Sequence, residues 1–160
     1  MKQINFNDLT SEEQNLLTKA KEALKKAYNP YSNFSVASAV LSKKGQIFTG
    51  SNIENASYSP TICAERAAIA AANTKGNREI TKIAVIAKGE NSNTQEVTSP
   101  CGVCRQVIYE FSQISQTDIE IIMSNTEMTK IIKAKISKLL PLAFGPKDLS
   151  HDLKKFKDET

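Results

Sequence analysis

The sequence contains no tryptophan and a single histidine, and only three of its 160 residues are cysteine. Three cysteines cannot all pair within one chain, which excludes a closed disulfide framework. None is needed, since 160 residues are enough for one domain to bury a real core. The lone histidine, His151, sits in a polar C-terminal stretch. Long apolar runs are also missing. None approaches the roughly 20 residues that span a bilayer, and the N-terminal segment has no apolar signal region. A cytoplasmic protein without membrane partners is therefore expected, in a compartment where thiols stay reduced. Reduced, unpaired cysteines point to metal binding or reactivity. Charge of one sign is scarce as well: 21 Lys and Arg stand against 17 Asp and Glu, a net +4. The nearest thing to a basic run, residues 130–138, interleaves its lysines with Ile and Ala. That pattern suits a solvated face better than a phosphate-binding stripe, so no nucleic-acid partner is expected.

What is present is an alternation of helical and extended patterns. Thr10 and Glu13 read as a capping box. Leu16, Leu17, Ala20, Ala23, Leu24, Ala27 and Tyr28 follow at helical spacing, and Asn29-Pro30 stops the helix. Residues 34–41 read as a strand, Lys43-Lys44-Gly45 as a turn, and residues 46–50 as the return strand of a hairpin. A second helix is expected over residues 62–73, with Gly76 as its stop. Ile80–Lys88 is a continuous apolar strand of the kind that a sheet covered on both faces requires. Residues 89–98 are polar and read as a loop. Ser99 and Pro100 read as N-cap and first residue of a third helix carrying Val103, Val107, Ile108 and Phe111. Residues 119–123 form another strand. Residues 129–140 fit one helix, or, preferably, a strand over 129–133 followed by a short helix ending before Pro141. Helices alternating with five strands imply a three-layer α/β/α domain covering residues 1–160, with 146–160 as a peripheral tail.

Two segments carry chemistry: Cys63-Ala64-Glu65-Arg66 and Pro100-Cys101-Gly102-Val103-Cys104-Arg105. In the second, C-x-x-C at a helix start places both sulfurs on one face of the first turn. There the backbone N–H groups and the helix dipole favour the thiolate that zinc requires. Cys63 opens a different helix, and two facing N-termini bring three thiolates together. No convincing fourth protein ligand is visible. Three ligands leave one tetrahedral position for water, which separates a catalytic zinc site from a closed structural one. Zinc lowers the pKa of such a water to about 7, and Glu65, two residues past a ligand, is placed to carry its protons. Arg66 and Arg105 each follow a ligand and are expected to offset the excess charge of three thiolates on Zn2+. Taken singly, each feature has a plainer reading. C-x-x-C is often a structural half-site or a redox pair, Cys63 could be a small buried residue, and Glu65 could merely complement the helix dipole. The combination C-x-E…P-C-x-x-C is the signature of zinc nucleobase deaminases.

Over residues 28–149 the sequence resembles the small cytidine deaminases. The matching segments are Pro30-Tyr31-Ser32-Asn33-Phe34, Gly50-Ser51-Asn52-Ile53-Glu54-Asn55-Ala56-Ser57-Tyr58, Thr61-Ile62-Cys63-Ala64-Glu65-Arg66, Ser99-Pro100-Cys101-Gly102-Val103-Cys104-Arg105-Gln106 and Leu139-Leu140-Pro141-Leu142-Ala143-Phe144-Gly145-Pro146. The resemblance implies a mixed five-stranded sheet and one zinc ion per subunit. It implies hydrolysis of cytidine and deoxycytidine to uridine and deoxyuridine plus ammonia, a pyrimidine-salvage activity. It further implies that Asn52 and Glu54 bind the ribose 3′-hydroxyl, Phe34 packs on the nucleoside, the Ala64 N–H meets the base O2 and Glu65 contacts N3. A homotetramer with shared active sites is implied too, Phe144 stacking on the base from an adjacent subunit and Tyr58 forming the shared wall. One departure stands out: Val36-Ala37-Ser38-Ala39 replaces the family's usual Val-Gly-Ala and is similar to the blasticidin S deaminases. That antibiotic is the alternative substrate.

Overall fold

A mixed sheet of six strands runs through the chain in the order β1-β6-β5-β4-β2-β3. The computed structural model describes residues 2–158. Its elements are β1 (Lys2–Ile4), α1 (Ser11–Ala23), β2 (Ser35–Ser42), β3 (Ile47–Ser51), α2 (Ala64–Thr74), β4 (Ile80–Lys88), α3 (Gly102–Ser115), β5 (Glu120–Ser124), β6 (Ile131–Lys135) and α4 (Ile136–Leu139). Only β4 and β5 pair in parallel, joined by the α3 crossover, and the other neighbours are antiparallel.

Alternation along the strands sorts the core into two layers. On β4, Ile83 and Val85 join a cluster with Ala68, Ile69 and Ala72 of α2 and Ile108 of α3. Their neighbours Ala84 and Ile86 point the other way, into a cluster with Leu16, Leu17 and Ala20 of α1. The sheet is thus covered on both faces, as a continuous apolar β4 requires. Ile83 and Ile86 are fully buried, and each such side chain contributes about 2–3 kcal/mol. Among the described residues, no helix is long and apolar enough to cross a membrane.

Local expectations differ from the structure in informative places. The sheet has six strands rather than five, because residues 2–4 pair with β6. Three edge residues are too few to show a period. The first helix ends at Ala23 and tightens into a 3-10 turn, Leu24–Lys26, well before Tyr28. The Tyr28 backbone is instead recruited by the segment after β3, its N–H donating to Asn52 O at 3.0 Å and its carbonyl accepting from Glu54 N at 2.8 Å. Helix α3 starts at Gly102 with Cys101 as N-cap, so Ser99 and Pro100 lie outside it. Residues 129–140 adopt the strand-then-helix reading, shifted by two residues. The tail expected to be peripheral is largely exposed, and the Asp158 carboxylate near its end accepts from the Arg78 and Glu79 backbone N–H groups. Residues 159–160 of that tail lie outside the described residues.

The capping box at Thr10 is present. Thr10 Oγ1 accepts from Glu13 N at 3.3 Å, and Thr10 N donates to Glu13 Oε2 at 3.0 Å. The Glu13 carboxylate, nearly inaccessible, also takes Lys133 Nζ at 2.6 Å and Lys82 Nζ at 3.3 Å. It therefore ties α1 to β4 and β6.

Candidate active site

The site lies where α2 and α3 begin. Cys63 is the N-cap of α2 and Cys101 the N-cap of α3, both extended, and neither makes a side-chain cap hydrogen bond. The sulfurs thus lie beside first-turn N–H groups that have no intrahelical acceptor. Helix α2 is rich in alanine and rests close on the sheet. Its approach depends on Gly50 in β3: a Cβ there would sit 2.3 Å from Ala68 N and 2.6 Å from Ala64 O. Only a residue without a side chain fits under the helix at that point.

Cys63 Sγ and Cys101 Sγ are 3.9 Å apart, and the three sulfurs of Cys63, Cys101 and Cys104 all lie within 4.8 Å of one another. Ligands about 2.3 Å from a tetrahedral zinc stand about 3.8 Å from each other, so the donor set fits zinc. Among the described residues, no other His, Cys, Asp or Glu joins the group. His151, exposed in the tail, is not part of it. Cys104 is fully buried, Cys63 half-buried and Cys101 exposed, so the cluster opens on one side. The neighbouring Cys104 draws the Cys63 pKa down to about 6 against the opposing effect of burial. The same pairing, together with burial, pushes Cys104 up. Of these two, Cys63 is the readier thiolate.

Glu65, in the first turn of α2, is only 4% exposed. Burial raises its pKa, opposed by its own backbone N–H and by the neighbouring Cys104. Arg66 acts on Cys63 through its charge, favouring the thiolate. Arg105 is engaged elsewhere: its Nε donates to Pro100 O at 2.8 Å and Nη1 to Leu139 O at 3.0 Å. Arg105 thus forms a strut linking the Cys101 turn to the end of α4. Carbonyl groups of buried loops need donors as much as thiolates do.

A second group of expected residues gathers beside the start of β2. The Asn52 side chain is bonded to backbone on both sides, Oδ1 accepting from Val36 N and Nδ2 donating to Phe34 O, each at 2.9 Å. Glu54 accepts from Tyr31 N at 2.9 Å, Ser32 N at 3.2 Å and the Ser32 hydroxyl. Phe34 is partly exposed. Ala64, fully buried, is the first residue of α2, where an N–H has no intrahelical partner. Tyr58 and Phe144 stand out into solvent, 74% and 61% exposed, as do Val103 and Leu142. The Val103 position corrects the apolar stripe expected on α3, since it points away from the core.

Two residues without an assigned role prove to hold this surface. Gln106 Nε2 donates to Phe144 O at 2.9 Å. Ser32 links Glu54 to the Phe34 N–H. Both lie in recognisable segments, but neither has a chemical signature of its own. The departure at Val36-Ala37-Ser38-Ala39 is a core feature: Ala37 and Ala39 pack towards α1, and the buried Ser38 hydroxyl donates to Ala84 O at 2.9 Å. A surface concavity of about 960 Å3 lies at the β1–β6 edge and includes none of the cysteines. We place the chemistry at the sulfurs, because that concavity holds no comparable donor set.

Residues 10–119 match the family described as the cytidine and deoxycytidylate deaminase zinc-binding region. A cytidine deaminase of Sporosarcina psychrophila is 41% identical over 138 residues, covering 86% of this chain and 95% of that protein. One from Halalkalibacterium halodurans is 40% identical over 137 residues, covering 86% and 97%. Among solved structures, the cytidine deaminase from Burkholderia pseudomallei superposes with a TM-score of 0.74 at 38% identity, covering 85% of this chain and 100% of that one.

Proposed function

The chain belongs to the cytidine and deoxycytidylate deaminase family, and from that premise we propose that it hydrolyses cytidine and deoxycytidine to uridine and deoxyuridine, releasing ammonia, in cytoplasmic pyrimidine salvage. The observation that carries this reading is one buried carboxylate, Glu65, set against an open cluster of three cysteine sulfurs. Zinc, when bound by Cys63, Cys101 and Cys104, supplies a water that ionises near neutral pH.

Glu65 takes a proton from the attacking water and delivers it to N3 of the base while oxygen bonds to C4. The same carboxylate then takes the remaining hydroxyl proton and passes it to the amino group. The C4–N bond breaks, ammonia leaves, and a C4 carbonyl remains. Water thereby supplies one oxygen and two hydrogens, and Glu65 ends as it began. The Ala64 N–H holds the base O2, Asn52 and Glu54 hold the sugar, and Phe34 lies against the nucleoside. Arg66 offsets the thiolate charge by its position beside Cys63.

The assembly we propose is a homotetramer, each subunit completing a neighbour's site. Support comes from the open side of the sulfur cluster and from Tyr58, Val103, Leu142 and Phe144, large apolar side chains left exposed on one chain. Phe144 would stack on the base of the adjacent subunit, with Tyr58 in the shared wall. Residues 1–160 act as one such domain.

The test is Glu65→Ala, followed by the absorbance loss of cytidine. The variant should retain zinc and lose at least the roughly 10²–10⁴-fold that general acid–base help supplies. Near-normal turnover in a zinc-loaded Glu65→Ala protein would remove Glu65 from the chemistry.

A further inference from the structure

Glu54 reaches the sugar subsite with most of its acceptor capacity already in use. Its Oε2 accepts two backbone N–H groups, from Tyr31 at 2.9 Å and Ser32 at 3.2 Å. Its Oε1 accepts the Ser32 hydroxyl in a short bond. A carboxylate offers about four acceptor sites, two on each oxygen. Oε2 is therefore filled, and Oε1 keeps one site. The Ser32 hydroxyl in turn accepts the Phe34 N–H at 3.1 Å. One small side chain thus joins the orientation of the carboxylate to the backbone of the aromatic residue. Asn52 closes the arrangement from the other side, gripping Phe34 O and Val36 N and retaining one amide hydrogen.

We infer that Ser32 is a positioning residue of the sugar subsite: by occupying one acceptor site of Glu54 Oε1, it aims the remaining site at a hydroxyl of the substrate. This rests on the deaminase reading given above. Glu54 is solvent-accessible, and the terminal torsion of a glutamate is broad. Without the Ser32 bond, two sites on Oε1 lie open to water, and no single direction is favoured. The backbone bonds to Oε2 persist, so the carboxylate stays in place and loses only its aim. The consequence falls on binding, since Ser32 touches neither the reacting atoms nor the groups that move protons.

The experiment measures kcat and KM for the wild type, Ser32→Ala and Ser32→Thr, with cytidine and with 3′-deoxycytidine as substrates. Ser32→Ala should raise KM for cytidine about tenfold, the equivalent of about 1.4 kcal/mol, with kcat unchanged. Ser32→Thr, which restores the hydroxyl, should recover the wild-type KM. With 3′-deoxycytidine, wild type and Ser32→Ala should coincide, because no hydroxyl is there to be aimed at and the Asn29 amide, turned so that its oxygen accepts, still holds the Phe34 N–H at 2.8 Å. Equal KM increases on both substrates, a fall in kcat at unchanged KM, or no rescue by threonine would each overturn the assignment. If the wild type turns over no cytidine at all, the deaminase reading itself fails. If it turns over both substrates alike and Ser32→Ala changes nothing, only the role of Ser32 fails.

Discussion

Replacing Gly50 with alanine should disable the site without touching any residue in it. The new Cβ would meet Ala68 N at 2.3 Å, Ala64 O at 2.6 Å and Ala67 C at 2.8 Å. All three are backbone atoms, so no rotamer change relieves the clash. Favourable contacts begin near about 3.5 Å, so α2 and β3 have to part by about 1.2 Å. Overpacking of that kind costs about 1–3 kcal/mol. The displaced turn carries Cys63, Ala64 and Glu65, while Cys101 and Cys104 ride on α3 and stay behind. A misplacement of about 1 Å in a catalytic array costs about 10²-fold in rate. Gly50→Ala should therefore lower kcat by about that factor and weaken zinc retention, alongside a reduced urea midpoint. Gly45→Ala is the control. Gly45 sits in the hairpin turn at φ +78° with open space around it. Its substitution costs about 1 kcal/mol of backbone strain and leaves turnover intact. A Gly50→Ala protein with wild-type kcat and full zinc content would refute the reasoning, as would a Gly45→Ala protein equally inactive.

Two further outcomes are expected. Burial alone would raise the pKa of Glu13, but Lys133 and the Thr10 N–H outweigh it and hold the carboxyl at about 2, against an ordinary 4.5. A depressed folded-state pKa means stability present above pH 4.5 and lost as pH falls towards 2. The gap corresponds to about 3 kcal/mol. The Lys82 and Lys133 side chains are 24% and 23% exposed, so water screens the pair and about 2 kcal/mol is the better figure. In urea unfolding, Glu13→Gln should be less stable than wild type by that amount at pH 7, and most of the difference should be gone by pH 2.5. A pH-independent difference would count against the linkage. Leu142→Asp places a charge on the most exposed apolar side chain, far from the core. It should shift the assembly to smaller species in sedimentation and reduce turnover, while zinc content holds. An unchanged assembly would argue against Leu142 lying at a subunit contact.

Much of this protein was legible in one dimension, wherever a property is local. The capping box at Thr10, the continuous apolar run of β4 and the helix-start cysteines are short-range patterns, and short-range patterns appear in sequence. The ligand set was legible for the same reason: C-x-x-C places Cys101 and Cys104 on one turn by helical geometry alone. Edge strand β1 was not, since three residues have no period and owe their pairing to β6. Nor was the end of α1, where an inter-segment bridge at Tyr28 prevailed over a helical pattern.

The sequence by itself determined which atoms could hold a metal and which carboxylate stood next to them. Only the tertiary structure decided what the remaining side chains do. Arg105 is drawn to two carbonyls, Ser38 turns its hydroxyl into the sheet, and Ser32 takes hold of Glu54 across 22 positions of chain. A hydrogen bond is chosen among the donors and acceptors that folding brings within about 3 Å, and that list exists only after the backbone has closed. Gly50 is the limiting case. Its role is the absence of an atom, and nothing but the approach of α2 reveals why the atom has to be absent.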